Sequence, residues 1–497
     1  MTELKLNYKL YHKWKSDNQI SVLGSAFLNN HLLSDNTLID YFKEVTDEIL
    51  FVSKLQTLSG HFSVVIELES FLFAAVDIIR TFPLFFRVNN NKVVLTDKIE
   101  SDFIFNESEC INFSKVYCAL ENNTLLKNWK QVQAGEYLVI NKLNHHFAIK
   151  TYYQHALKSE QKSDIELKYN LAALEKTITG NIFEYAKNRT ILVPLSGGYD
   201  SRYLLALLKK NNYTKIECFT YGKKNSYEVL IAKNVAEKLN VKWHFIEYTN
   251  EMIDTFFRDE WMEYSNQNHH FSSLPHEQEF FALHYLKQNK LLPENAVIMN
   301  GFCQDIQAGS FLEPVNKFDI SKFIFHKHQL KLNNFIYENS WNGYQEWLVK
   351  NRLSKFIINS VRVYEFYGLD FYLPFWNKDW IDFWYSMDME NRLNQKFYNN
   401  YLFNGIFKQY KIDFKKPTHD TAYSFYTLKK IAKSILPKQI TDQISIQNSL
   451  DKQNDVNNTL YLYEKIYCSL NNKPDSKDYK INNIHAVYFL EKIKNLK

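Results

Sequence analysis

The chain has 497 residues, 45% of them apolar, with 60 Lys and Arg against 55 Asp and Glu and a formal charge of +5. That length exceeds what one ordinary core covers, so two domains and a short third element are expected, and charge this balanced excludes a dedicated nucleic-acid binder. Five scattered cysteines without Cys-x-x-Cys spacing exclude a disulfide scaffold and a structural zinc site, and with no apolar leader or long apolar run the expectation is a soluble cytoplasmic protein, away from membranes.

From about residue 20 to 155, short β-branched or aromatic runs at 21–28, 61–68, 72–76, 84–88, 92–96 and 136–140 are separated by polar turns and predict strands, with one helix crossing near 38–51. The most apolar stretch, 71–79, is too short to span a bilayer. After Tyr152-Tyr153 a polar stretch at 158–162 leads into a helix reaching Tyr185. Strands and helices then alternate at 191–195, 203–208, 216–221, 227–239 and 243–247, the pattern of a parallel sheet with crossover helices. On the helix 227–239, Ile231, Val235 and Leu239 recur every four residues beside Ala232 and Ala236, giving one apolar face. A further strand at 296–299 runs into Asn300-Gly301, and from about residue 320 the chain reads as mostly helical, with a polar surface loop at 447–458. The short Lys clusters around 429–433 and 492–497 read as solvated faces, and the 38 Phe and 33 Tyr as core and substrate-channel bulk.

Between the strand 191–195 and the helix that follows lies Ser196-Gly197-Gly198-Tyr199-Asp200-Ser201. A strand ending in a glycine turn that opens a helix presents free N–H groups and the positive end of a helix dipole, which suits a polyphosphate. Glycine is expected here for positive φ and close approach. The loop has neither a Gly-Lys-Ser/Thr ending nor a Gly-x-Gly-x-x-Gly turn. Asp200 instead makes sense if Mg²⁺ stands between carboxylate and phosphate, as in a pyrophosphatase-type loop that cleaves ATP between the α and β phosphates. Ser-Gly-Gly alone is also an ordinary surface turn; the strand before it, Asp200, Ser201 and the helix after it set this loop apart.

With the loop placed, the chain resembles the asparagine synthetase family, including the β-lactam synthetases, over roughly residues 20 to 420. Leu58-Ser59-Gly60-His61-Phe62-Ser63, Val76-Asp77 with Phe82-Pro83-Leu84-Phe85-Phe86, and Ala134-Gly135-Glu136-Tyr137 with Tyr152-Tyr153 resemble segments of its glutaminase-type domain. Phe219-Thr220-Tyr221-Gly222, Tyr227-Glu228 and Ala232, then Asn300-Gly301-Phe302-Cys303-Gln304-Asp305 with Gly309, then Leu373-Pro374-Phe375-Trp376 resemble segments of the synthetase domain in the same order. The resemblance implies an N-terminal-nucleophile-like β-rich sandwich (1–155), a pyrophosphatase-loop α/β domain with a parallel sheet (160–420) and a helical C-terminal extension (421–497), an α/β and α+β chain. It implies that a carboxylate is activated with ATP and Mg²⁺ as an acyl-adenylate and attacked by an amine or ammonia. Leu195, Tyr221, Asn300 and Gly301 would line the adenosine; Ser196, Gly197, Gly198 and Ser201 would hold phosphates; Asp200 and Asp305 would bind the metal. A homodimer or a partner biosynthetic enzyme is compatible with this reading.

The chain also departs from the family. Position 2 is Thr2 where a working glutaminase carries Cys, and both the Gly-Ile strand that should follow and the Arg-Gly-Pro-Asp clamp are missing, so this domain is expected to be an inactive scaffold. Phe302 stands where the family has an acidic or tyrosine base, so that base is absent or supplied elsewhere. Lys415 and Lys416 are the nearest candidates for the cation that stabilises the transition state. Arg202 after Ser201 suggests a larger anionic substrate or a helix salt bridge. His269, His270 and His276 with Glu277 and Glu279 match no zinc spacing and read as a substrate-side loop. Asparagine from aspartate, or the amide of a sugar acid, peptide or secondary metabolite, are the expected products. A nucleotide-binding scaffold without ligase activity is the alternative, and adenylate-dependent sulfur transfer to RNA is disfavoured by the lack of paired cysteines and of a basic stripe.

Overall fold

The computed structural model describes residues 2–89, 92–100, 103–313, 318–331, 336–415, 455–471 and 481–495. In the N-terminal part, antiparallel strands Ile20–Leu28, Ser59–Glu67, Phe71–Val76 and Glu136–Asn141 form the middle of a seven-stranded sheet. Period-two alternation sends their side chains into two different cores. Val64, Ile66, Phe73 and Ala75 share one with Leu38, Phe42, Phe51 and Leu55 of two helices, the rings of Phe51 and Phe73 stacking at 5.2 Å. Val65, Leu72, Ala74, Leu138 and Ile140 share the other with Phe86, Val93 and Leu95 of a second, four-stranded sheet. Coverage on both faces explains why the central strands are buried almost end to end.

Two expectations are corrected here. The single helix across 38–51 is two, Asp35–Phe42 and Glu48–Thr57, because the Asp47 side chain accepts a hydrogen bond from the Leu50 N–H and starts a new helix. The Gly-Ile sequence is absent, but a strand stands at its place: Thr2–Lys5 pairs in parallel with Lys92–Thr96, a pairing that no local pattern in so short a segment reveals.

The second part carries a five-stranded, wholly parallel sheet in the order Lys242–Glu247, Ile216–Gly222, Ile191–Pro194, Val297–Met299, Asp370–Tyr372. The edge strand Asp370–Tyr372 lies inside the region read as helical, and three residues are too few to show a period. From the central strand Ile191–Pro194 the chain winds outward on one side and returns on the other. A crevice therefore opens at the C-terminal ends of Ile191–Pro194 and Val297–Met299, the topological switch point where such sheets bind ligands.

An irregular helical run joins the two parts. It begins as α-helix Trp341–Trp347, loosens into a π-helix over Leu348–Ile357, tightens at Ile358–Val361 and ends as Arg362–Phe366. Its polar face grips the N-terminal part. Lys355 donates to the carbonyls of Ala119 (2.9 Å) and Glu121 (2.6 Å), and the Asn351 side chain accepts from the Glu121 N–H. Nearby, buried His61 accepts from the Leu373 N–H at 3.1 Å, and burial holds its pKa down at about 3, so the ring is neutral and has a lone pair to offer.

The expected surface loop 447–458 is corrected at its end; its first part lies outside the described residues. Asp455 is buried and takes Lys223 at 2.5 Å, while the Val456 carbonyl accepts from the Lys223 N–H. Helices Thr459–Ser469 and Ile481–Lys494 follow, and Asn483 of the latter bonds the carbonyls of Ser114 and Lys115. Among the described residues no helix is long and apolar enough to cross a membrane.

Candidate active site

A cavity of about 660 Å³ opens at the switch point, lined by Leu195, Ser196, Gly198, Asp200, Ser201 and Tyr221 from one side and by Asn300, Phe302 and Asp305 from the other. The Leu195 N–H donates to the Phe219 carbonyl, extending the ladder one residue past the strand and fixing where the loop departs. The hydroxyls of Ser196 and Ser201 lie 3.1 Å apart; the Ser201 Oγ accepts from the Ser196 N–H, and the Ser196 Oγ accepts from the Gly198 N–H. The helix Tyr199–Lys210 starts at Gly198 with no side-chain cap, which leaves first-turn N–H groups for an anionic ligand.

Neither loop glycine meets the expectation of positive φ: Gly198 has φ −71° and Gly197 also lies outside that region. Close packing is the reason for Gly197, where a Cβ would come within 2.8 Å of the Glu228 Cα. Gly301 is tighter still in its surroundings, since a Cβ there would meet the Asp200 carbonyl oxygen at 2.8 Å and its carbon at 2.9 Å.

This packing brings the two aspartates together. Asp200 Oδ2 accepts from the Asp305 N–H at 3.1 Å, and Oδ1 accepts from the Tyr398 hydroxyl at 2.8 Å. Both carboxylates line the same cavity, offering oxygen donors with room for water or phosphate as further ligands, and that suits Mg²⁺, which binds through one or two carboxylates. Among the described residues no cluster of three or more His, Cys, Asp or Glu could hold a metal.

Residues 186–265 match the family model described as asparagine synthase. The likeness is confined to that segment, about a sixth of the chain. The segment contains the loop, the helix after it and the two strands beyond. No curated protein matches the chain significantly. Among solved structures, glutamine phosphoribosylpyrophosphate amidotransferase from B. subtilis, complexed with ADP and GMP, is 11% identical over 51% of this chain and 76% of its own, with a TM-score of 0.20. The allosteric regulatory enzyme of purine biosynthesis is 12% identical over 47% and 71%, also at 0.20. Overlaps this loose bear on neither fold nor function.

Around this loop, the other residues singled out in the sequence fall as follows. Tyr221 stacks on Tyr248 at 5.0 Å, and Asn300 donates to the Tyr364 hydroxyl at 2.9 Å while accepting from the Phe302 N–H. Arg202 is neither a substrate ligand nor half of a helix salt bridge. It is buried, and its guanidinium donates to the carbonyls of Gly197 (3.0 Å), Ile412 (2.9 Å) and Phe414 (2.7 Å). Lys415 is thereby anchored one residue from a bond to the loop, yet its side chain is exposed and does not line the cavity; Lys416 lies outside the described residues. His269 and His270 are buried away from the cavity, with burial pushing both pKa values down to about 3, and Glu277 pairs with His485. From that polar stretch His276, Gln278 and Glu279 reach the cavity. Sequence reasoning did not anticipate Tyr398, which holds Asp200, nor Asn457, which lines the cavity from the far end of the chain. Neither carries a local signal.

Proposed function

We propose that the chain is an ATP-dependent carbon–nitrogen ligase that activates a carboxylate as an acyl-adenylate, releases pyrophosphate, and passes the acyl group to ammonia or an amine not drawn from glutamine by this chain. One observation carries the reading: Asp200, inside the segment that matches the asparagine synthase model, and Asp305, beyond it, stand in the first helical turns after two neighbouring parallel strands and meet through a 3.1 Å hydrogen bond at one cavity. Ser196, Gly198 and Ser201 with the first turn of the helix Tyr199–Lys210 would hold the phosphates, and Leu195, Tyr221 and Asn300 would face the adenosine. Asp200 and Asp305 would hold Mg²⁺, which when bound neutralises charge on the phosphates and the departing pyrophosphate. Tyr398 orients Asp200, and the apolar Phe302 and Ile357 keep part of the cavity dry.

Exchange of labelled pyrophosphate into ATP, measured across amino-acid, sugar-acid and aromatic carboxylates, tests the reading. Asp200→Ala and Asp305→Ala are each expected to lower exchange by about 100-fold or more, the scale of lost electrostatic stabilisation. Exchange untouched in both variants would show the metal roles to be wrong. The exposure of Lys415 favours a second reading, a nucleotide-binding scaffold without turnover. ATP binding with no exchange across the whole panel would select it.

A further inference from the structure

The cavity holds a carboxyl that the loop and the metal pair leave unused. Glu279 lines it at the start of the helix Phe280–Gln288. Its Oε1 stands 3.5 Å from the Asn300 Nδ2, the Tyr364 hydroxyl hydrogen-bonds to it, and its Oε2 is closed off from solvent without a hydrogen-bond partner. Four tyrosines lie close enough to feel its charge: Tyr221 on the strand Ile216–Gly222, Tyr248 just past the strand Lys242–Glu247, Tyr264 on the helix Asp259–Asn268, and Tyr364 on the helix Arg362–Phe366. Among the described residues no Lys or Arg acts on it. A buried structural carboxylate is normally paired with a cation, because leaving it alone costs several kcal/mol. Burial without such a partner, only partly offset by the Tyr364 and Asn300 hydrogen bonds, raises the Glu279 pKa to about 7.

The proposed reaction needs such a group. An amine is protonated near neutral pH and must lose a proton before it can attack, and Phe302 offers no acceptor. His276 lines the same cavity, but burial pushes its pKa down and makes it a weak proton acceptor. The charged side chains lining the cavity, Asp200, Glu228, Glu279 and Asp305, are all acidic, and among the described residues no Lys or Arg joins them. A cationic nucleophile is therefore favoured over an anionic one.

We propose that Glu279 receives the attacking amine, binding its ammonium form and taking one proton from nitrogen. The inference rests on the ligase reading above and names its nucleophile class, an ammonium ion or a primary amine. In the step, the nitrogen lone pair forms the C–N bond to the acyl carbon, and the C–O bond to the AMP phosphate breaks with its electron pair leaving on AMP. One proton resides on Glu279 and the second passes from nitrogen to water.

The test compares the wild-type chain with Glu279→Gln in two half-reactions, using the carboxylate that gives the strongest pyrophosphate exchange. Amide formation is measured with ammonium chloride, and hydroxamate formation with hydroxylamine, a nucleophile already unprotonated at neutral pH. In Glu279→Gln, exchange is expected within about threefold of wild type, ammonium-dependent amide formation down by about 100-fold or more, and hydroxamate formation down by less than about tenfold. The wild-type amide rate should rise with pH around a midpoint near 7, and that rise should vanish in the variant. Equal amide formation in the two proteins overturns the assignment, and so does a matching loss of exchange, which would place Glu279 in nucleotide binding. If Glu279→Gln does not fold, Glu279→Asp is expected to keep a slower, still pH-dependent amide step, and a pH-independent one overturns the assignment. A wild-type chain without exchange on any carboxylate overturns the ligase reading itself, and the assignment with it.

Discussion

At the scale of single residues the site depends on what is too small to interfere. Gly301 lets the loop after Val297–Met299 lie against the Asp200 backbone, where a Cβ would sit 2.8 Å from a carbonyl oxygen that has no freedom to move. Gly301→Ala is therefore expected to force the Asp200 and Asp305 loops apart, destabilising the chain by about 1–3 kcal/mol, the usual cost of overpacking. Its pyrophosphate exchange should fall well beyond what that loss of stability explains, and exchange rates set beside thermal unfolding of the same protein check this. An unchanged rate would mean that the loops are not held together by this contact. Asp200 and Gly301 were legible as motif positions because each belongs to a short turn-to-helix passage that follows a strand. Glu279 was visible as part of an acidic and histidine-rich stretch, but nothing local separates it from Glu277, which pairs with His485 instead. Adjacent side chains diverge in direction, and only packing shows which one meets a cavity.

At the scale of elements, Arg202 joins the loop at 196–198 to the segment at 412–414. Its guanidinium is fully buried and lies over the rings of Tyr199 and Phe407 at 5.4 and 5.1 Å, and burial lowers its pKa to about 10, still high enough to stay charged at neutral pH. Each hydrogen bond to a charged group contributes about 1.5–3 kcal/mol, so Arg202→Met should cost about 3 kcal/mol or more in stability. Arg202→Lys should recover little of it, since one ammonium cannot reproduce a fork reaching three carbonyls. Urea unfolding of the three proteins reads this out, and a lysine variant as stable as wild type would show that the fork is unnecessary. The strands and helices flanking Arg202 could be read from periodicity, but its partners lie as far as 212 residues away. A sequence motif can show that a charge is present without showing what it faces.

At the scale of the whole molecule, a buried charge network ties the N-terminal part to the edge of the parallel sheet. His12 stands 2.8 Å from Glu365 and 3.2 Å from Asp370, Glu365 also pairs with Arg362, and Asp370 with Arg189. Burial pushes the His12 pKa down, but hydrogen bonds to Asp370 and Glu365 outweigh it and raise the value to about 9. A base raised on folding stabilises the native state fully below its unfolded pKa and loses that contribution as pH rises through the folded one. The His12 contribution, about 3 kcal/mol at most, should therefore persist at pH 6 and fade through pH 9. Lys355, lowered to about 8 by burial, acts in the opposite direction, so the clean measurement is the difference between wild type and His12→Asn in thermal unfolding from pH 6 to 10. That difference should shrink as pH rises, and a constant one would show that His12 is neutral in the native state. Across the chain, the alternation of β-branched strands with amphipathic helices and the glycine-aspartate loop after the first of them were enough to place a parallel sheet and a strand–turn–helix at its centre, because both follow from local backbone preference and burial period. The pairing of Thr2–Lys5, the short edge strand Asp370–Tyr372, the grip of Tyr398 on Asp200, the anchor of Arg202 and the placing of Glu279 in the cavity came from folding alone. Each is a contact between residues distant in the chain, and its energy comes from which surfaces exclude water together rather than from any pattern of neighbours.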